Sequence, residues 1–461
     1  MKMNLEKIKQ LLEENNQQHL LNFWEKLGEN SRSKLLAQIM EIDFDSVKRM
    51  RELLSKAGGK IQHDDIEPAE VFELNDAKRS ELKLIGEKAI KENTTAVLLV
   101  AGGQGSRLGF DGPKGMYPIG PVSGCSLFCI HARKILALER KYKAQIPFYV
   151  MTSQANNAVT EEFFEKNDYF GLNRERVKFF SQGMWPALFA DGRIVMDAPD
   201  NIFRSPDGHG GVLSALQKTK MFSDMRDRGV RTIFYFQVDN PMVNVLDPAF
   251  VGIHIREKAD ISVKVCTKRN AQEGLGVVVR KNGRNAVVEY SELTTEQKEA
   301  RRPDGRLKFL YGSVAIHIFS LSFMEREAEV ALPLHLAHKK VPYCDSDGRT
   351  VIPDKPNAYK FEKFIFDVIP DASKAINIAF DREEEFAPLK NAAGDDSPAT
   401  CKAALTAKYS RWLEYAGVLV PRDKDGYKYQ VEIDPVFAVC KEDLKGKLSA
   451  GFKVSEDTFL S

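Results

Sequence analysis

Cysteine is sparse in this chain and never stands at C-x-x-C spacing: Cys125, Cys129, Cys266, Cys344, Cys401 and Cys440 are scattered over 461 residues. That pattern excludes a disulfide-stapled scaffold and reads as reduced thiols. Long apolar runs are lacking too. The longest, Ala96 to Ala101, falls far short of the roughly 20 residues of a membrane helix, so no membrane partner is expected. The start, Met-Lys-Met-Asn-Leu-Glu-Lys, has no apolar stretch of the secretory kind, which points to the cytoplasm. Nor is there an excess of one charge: 67 Lys and Arg against 65 Asp and Glu leave a net +2, no basis for nucleic-acid binding or an acidic tail. Repeats, low-complexity tracts and coiled-coil heptads are absent.

What the chain does have is core-forming material. Apolar residues make up 43% and charged residues 29%, a globular composition, and the length implies a main domain of about 250 to 300 residues with smaller flanking pieces. Residues 1–92 read as a helical arm: Leu5, Ile8, Leu11 and Leu12 share a face, as do Leu20, Leu21, Trp24 and Leu27, and then Leu35, Leu36, Ile39 and Met40. An extended stretch near Ile66 precedes a helix from Asp76 to Lys91. From Ala96 the texture changes. Buried-type strands (Ala96–Val100, Phe148–Met151, Val177–Phe180, Thr232–Val238) alternate with helices through residues 93–395. The pattern predicts an α/β fold with a doubly wound, mostly parallel sheet. Further strands are expected at Ile261–Thr267, Gly276–Val279, Ala286–Tyr290 and Val314–Phe319. Residues 396–461 read as a small β-rich C-terminal domain with a helix at Ala403–Tyr415.

The chemistry concentrates after the first buried strand, in Val100-Ala101-Gly102-Gly103-Gln104-Gly105-Ser106-Arg107-Leu108-Gly109 and then Pro113-Lys114-Gly115-Met116. Glycines directly after a buried strand let backbone N–H groups approach an anion without Cβ interference, so a nucleotide phosphate is expected there, bracketed by the cations Arg107 and Lys114. Two familiar loops fail on spacing. G-x-G-x-x-G needs glycine where Leu108 stands, and the P-loop pattern fails because Pro113 precedes Lys114 and Gly115 follows it.

With these residues in view the chain resembles the eukaryotic-type UDP-sugar pyrophosphorylases, and among them the UDP-N-acetylhexosamine enzymes. The glycine loop is similar to the family's nucleotide loop. Met151-Thr152-Ser153, Gln182-Gly183-Met184, Pro206-Asp207-Gly208, Val238-Asp239-Asn240, Val288-Glu289-Tyr290-Ser291-Glu292, Lys355-Pro356-Asn357, Lys360 through Asp367 and Pro388-Leu389-Lys390-Asn391 follow in the family's order. The resemblance implies a Rossmann-like, GT-A-like nucleotidyltransferase using UTP, a sugar 1-phosphate and Mg²⁺. It implies that Val100, Ala101, Gly102 and Gly103 hold UTP through the backbone, that Gln182 reads the uracil edge, and that Gly208 lets the chain pass close to the nucleotide. Asp239 would hold Mg²⁺, and Lys114 and Lys360 would contact phosphate oxygens. Arg107 would sit near the departing pyrophosphate, and Glu289, Tyr290 and Lys390 would bind the sugar phosphate.

The chemistry agrees. A phosphate monoester is largely ionised near neutral pH, its second pKa lying near about 6, so a sugar 1-phosphate needs no general base to attack phosphorus. The difficulty is bringing polyanions together, which calls for Arg, Lys and Mg²⁺ rather than a nucleophile triad. A nicotinamide-dependent oxidoreductase also uses a glycine loop after a strand, but its spacing is missing. A non-catalytic nucleotide-sugar sensor predicts loss of Arg107 or Lys114, and both are present. His335 and His338 have metal-like spacing for a helix, yet no carboxylate or thiol nearby completes a zinc site. Two positions depart from the N-acetylhexosamine pattern and bear on the sugar: His209-Gly210-Gly211 stands where Asn-Gly-Gly is usual, and Ser313 stands where an asparagine is expected. Overall similarity to the N-acetylhexosamine enzymes implies N-acetylglucosamine 1-phosphate, with glucose 1-phosphate, or a broad UDP-sugar pyrophosphorylase of relaxed specificity, as the alternative.

Overall fold

The computed structural model describes residues 5–56 and 65–461. The chain divides into two compact units, each discontinuous in sequence: one gathers Met1–Gln62, Gln182–Val212 and Ala331–Asp367, the other His63–Ser181, Leu213–Val330 and Val368–Ser461.

The larger unit is built on a ten-stranded sheet. Four adjacent strands run parallel: Val177–Ser181, Phe148–Thr152, Thr95–Val100 and Thr232–Gln237. Thr95–Leu99 and Phe148–Thr152 are wholly buried, as strands covered on both faces must be. Beyond Thr232–Gln237 the direction reverses. Tyr311–Ser320 pairs with it antiparallel, followed by Ile261–Thr267 on one branch and Val277–Lys281 with Arg284–Val288 on the other. The helix Asp76–Lys91 meets the helix Pro248–Glu257 backbone to backbone: a Cβ on Gly86 would lie 1.9 Å from the Pro248 carbonyl oxygen, and one on Gly252 1.9 Å from that of Leu82. The helix Pro398–Tyr415 buries Cys401, Leu405 and Leu413 in the same core as Val97, Leu99, Val431 and Ile433.

The smaller unit joins the N-terminal helices Leu5–Glu14, Glu29–Met40 and Phe44–Lys56 to short hairpins. Ile8, Leu12, Leu35, Ile39 and Met50 share a core with Trp185, Leu188, Ile194 and Phe361. Gln17, fully buried, ties helix to hairpin by donating to Gly192 O at 3.0 Å and accepting from Ile194 N at 2.9 Å.

Three expectations are corrected. The stripe Leu20, Leu21, Trp24 and Leu27 is carried by two tight 3₁₀ turns, Gln18–Leu21 and Trp24–Lys26, with Leu27 extended after the second, rather than by one helix; the chain there follows the hairpin that Gln17 binds. His335 and His338 lie on the strand His335–Lys339, where a three-residue spacing sends side chains to opposite faces. One ring stacks on Phe364 and the other on Tyr359. Cys125 and Cys129 form a disulfide. Ser126 caps the helix Leu127–Tyr142 by accepting from Cys129 N, and this turn brings the two Cα atoms to 5.9 Å, within disulfide range. Cys266, Cys344, Cys401 and Cys440 are free.

Candidate active site

In the larger unit the glycine loop leaves the strand Thr95–Val100 at its carboxyl end. Val100 closes the parallel ladder. Ala101 is fixed on both sides: its N–H donates to Met151 O at 2.7 Å, and its carbonyl accepts from Asn156 Nδ2 at 3.2 Å. The next amides, on Gly102, Gly103 and Gln104, donate to no acceptor among the described residues. The loop then closes on itself, with Gly105 N donating to Gly112 O at 2.9 Å and Lys114 N to Gly103 O at 3.0 Å. Gly115 seats the Lys114 turn on Phe128, whose ring would lie 2.2 Å from a Cβ there. A rigid loop with outward amides is an anion cradle.

Lys114 and Asp239 are brought together. Nζ of Lys114 lies 3.7 Å from the Asp239 carboxylate and donates to Leu389 O at 3.4 Å, while Leu389 N donates to Asp239 O at 2.8 Å. Lys390 follows directly, its N–H on Asp396 O at 2.7 Å. Arg107 is exposed, on the turn Ser106–Leu108. No group of three His, Cys, Asp or Glu suited to a metal occurs among the described residues. A single hard carboxylate still fits Mg²⁺, which is commonly held by one or two carboxylates and completed by substrate phosphates and water.

Glu289, Tyr290 and Ser313 gather around Gly274–Gly276. The strand Arg284–Val288 ends one residue before Glu289, so Glu289 and Tyr290 sit on the following turn rather than on the strand. A Cβ on Gly276 would lie 3.4 Å from a Glu289 carboxylate oxygen, and one on Gly274 3.5 Å from the Tyr290 ring. Ser313 N donates to Gly276 O at 2.8 Å. Tyr290 is 44% exposed.

In the smaller unit Gln182, Gly208 and His209 adjoin one knot of backbone, and Lys360 lies on the strand Ala358–Glu362 that leads into it. Asp207 N donates to Gly183 O at 3.0 Å, Lys363 N to Asp207 O at 2.8 Å and Gly210 N to Lys363 O at 2.9 Å. Gly208 has φ +87°, and a Cβ on it would lie 2.5 Å from the Lys363 carbonyl oxygen; glycine is required on both counts. Gln182 is 7% exposed. Its side-chain amide forms no hydrogen bond among the described residues. His209 stacks on Phe364 and accepts from Ile365 N at Nδ1, 3.1 Å, which leaves the proton on Nε2. Burial pushes its pKa down to about 4, His335 adding to the effect. Phe364 is stacked between His209 and His335, and Asp367 accepts from His335 at 2.9 Å. Lys360 lies over the Phe203 ring, and burial lowers its ammonium pKa.

Several residues around these groups escape a sequence reading. Asn240 stood in a quoted motif without a role; its Nδ2 donates to Glu385 O at 2.7 Å and its Oδ1 accepts from Ala387 N at 3.2 Å. His131 is fully buried and donates to Val238 O at 3.0 Å; burial holds its pKa down to about 3. Nothing in the local pattern marks His131, Lys134 or Lys408.

No helix among the described residues is long and apolar enough to cross a membrane. A family profile described as UTP–glucose-1-phosphate uridylyltransferase matches residues 44–442. The chain is 36% identical over 95% of its length, and 97% of the relative's, to the UDP-N-acetylglucosamine pyrophosphorylase of Saccharomyces cerevisiae. Its fold superposes, with a TM-score of 0.85 and 31% identity over 100% of this chain and 99% of the other, on the UDP-N-acetylglucosamine pyrophosphorylase of Trypanosoma brucei. A UDP-glucose phosphorylase of Trypanosoma brucei shares the fold at TM-score 0.64 and 16% identity, over 90% of this chain and 86% of the other. On this match across most of its length, the chain belongs to the UTP–glucose-1-phosphate uridylyltransferase family.

Proposed function

We propose that the chain transfers the uridylyl group of UTP to N-acetylglucosamine 1-phosphate, forming the UDP-sugar and pyrophosphate. It is a uridylyltransferase whose partners are UTP and a sugar 1-phosphate. The observation that carries the reading is the Lys114–Asp239 pair, latched through Leu389 to Lys390 and standing in the same unit as the free amides of the glycine loop. That set handles phosphate charge and offers no nucleophile, which suits direct attack.

In the reaction an oxygen of the sugar 1-phosphate forms a bond to the α-phosphorus of UTP while the bond to the bridging oxygen of the β-phosphate breaks, and pyrophosphate leaves with that electron pair. Val100, Ala101, Gly102 and Gly103 hold UTP along the backbone, the Gly102 and Gly103 amides being the ones without an acceptor among the described residues, and Gln182 supplies a carbonyl and an N–H for the uracil edge. Gly208 admits the nucleotide beside the backbone. Lys114, Lys360 and Arg107 neutralise charge on the transferring and departing phosphates. Asp239 is the residue that would hold Mg²⁺, which neutralises phosphate charge when bound. Glu289, Tyr290 and Lys390 receive the sugar phosphate, with His209 and Ser313 bearing on the sugar.

A second reading, glucose 1-phosphate as acceptor, is favoured by His209 and Ser313, which replace two amide side chains with groups that pair differently. The names of the similar N-acetylglucosamine enzymes support the first. Pyrophosphate release from UTP against a panel of sugar 1-phosphates decides: N-acetylglucosamine 1-phosphate is expected to give the highest kcat/KM. A preference for glucose 1-phosphate by more than about tenfold would replace the sugar, and no release with any sugar would remove the reaction.

A further inference from the structure

The backbone carrying Asp239 is gripped by amines for which the transfer chemistry has no use. Every carbonyl from Val238 to Val243 has a partner. Val238 O accepts from His131, Asp239 O from Leu389 N at 2.8 Å, and Asn240 O from Val243 N at 3.4 Å. The remaining three all face lysines: Lys134 Nζ donates to Pro241 O and, at 2.8 Å, to Val243 O, and Lys408 Nζ donates at 3.2 Å to Met242 O. The two amines come from different helices, Leu127–Tyr142 and Pro398–Tyr415. Lys408 is 6% exposed, and neither amine forms an ion pair with a carboxylate among the described residues.

Burying an amine is expensive and needs a return. Here the return is position: a turn whose carbonyls are tied to two helices and to the Leu389 backbone has little freedom to slide, and it starts at the carboxylate that faces Lys114. We propose that Lys134 and Lys408 are positioning residues of the uridylyl-transfer site, acting through the Pro241, Met242 and Val243 carbonyls to hold Asp239 in its ligand-ready place before Mg²⁺ and UTP arrive. This rests on Asp239 as the metal-holding carboxylate. It gives the helix Pro398–Tyr415 a part in phosphate handling, although no phosphate-binding residue lies on it.

The test is calorimetric binding of Mg²⁺·UTP to the intact enzyme and to Lys134→Met, Lys408→Met, Asp239→Asn and Leu405→Ala, with thermal unfolding and sugar-1-phosphate KM measured on each. Methionine keeps the apolar stem and removes the amine. Both lysine variants and Asp239→Asn should weaken Mg²⁺·UTP binding by about tenfold or more, with sugar-1-phosphate KM unchanged within about twofold. Leu405→Ala, in the core of the same helix, should lower the unfolding temperature and leave binding as in the wild type. Weakened binding in Asp239→Asn with wild-type binding in the lysine variants overturns the proposal and leaves Asp239 in its role; wild-type binding in Asp239→Asn overturns both. If the lysine variants do not fold, hydrogen exchange on the unaltered enzyme decides. The Val243 and Leu389 amides should be protected without ligand as strongly as those of Thr232–Gln237, whereas protection that arises only with Mg²⁺·UTP overturns the proposal.

Discussion

The Asp239 turn in the larger unit and the Gly208 turn in the smaller one are both fixed loops that carry candidate site residues, and different parts of the chain hold them. At Asp239, side chains hold backbone: His131, Lys134, Lys408 and Asn240 supply the donors. At Gly208, backbone holds backbone: Gly183, Asp207, Gly210 and Lys363 exchange main-chain hydrogen bonds, and the side chains are pared to glycine where they would collide. The first arrangement is vulnerable to truncation. The second is vulnerable to added volume, because its main-chain hydrogen bonds do not depend on which side chain is present.

The largest effect should come from truncating the charged partner of the Asp239 turn. Lys114→Ala is expected to lower kcat/KM for pyrophosphate release by about two orders of magnitude, roughly 3 kcal/mol, the scale for a cation aimed at developing phosphate charge. Steady-state kinetics within threefold of the wild type would remove Lys114 from the mechanism. Next is added volume at the other turn. Gly208→Ala places a Cβ 2.5 Å from the Lys363 carbonyl oxygen at φ +87°, and should cost about 1–3 kcal/mol of stability in denaturant unfolding. An unshifted midpoint would show that the knot yields where the comparison says it is rigid. The smallest effect is in base choice. Gln182→Ala should narrow the preference for UTP over other nucleoside triphosphates by about tenfold, the scale of one or two hydrogen bonds; undiminished discrimination, read as ratios of kcat/KM, would move base recognition to the backbone.

Where local pattern governs, the sequence was closely legible. The helix Asp76–Lys91 and the strand Ile261–Thr267 occur with the expected ends, the first set by Asn75 capping Lys78 N and the second by alternating Ile261, Val263 and Val265 in a strand paired on both sides. The strands flanking the glycine loop were readable for the same reason. Legibility failed where a distant partner chose the conformation. His335 and His338 carry helical spacing but pair in a strand with Ala358–Glu362, and the stripe after Gln17 tightens into 3₁₀ turns beside the hairpin that Gln17 binds. Of the candidate residues, Lys114 and Asp239 meet beside Leu389, the neighbour of Lys390, and Ser313 joins Glu289 and Tyr290 around Gly274–Gly276, although the sequence separates Lys114 from Asp239 widely.

By itself the sequence determined the alternation of buried strands and helices and the glycine loop with its flanking cations, since these follow from side-chain period, missing Cβ atoms and residue type. Only the tertiary structure decided that Lys134 and Lys408 are structural donors rather than solvated cations. Their acceptors stand 107 and 166 residues away along the chain. A lysine is expected at the surface until folding places a carbonyl within its reach and removes the water that would otherwise solvate it.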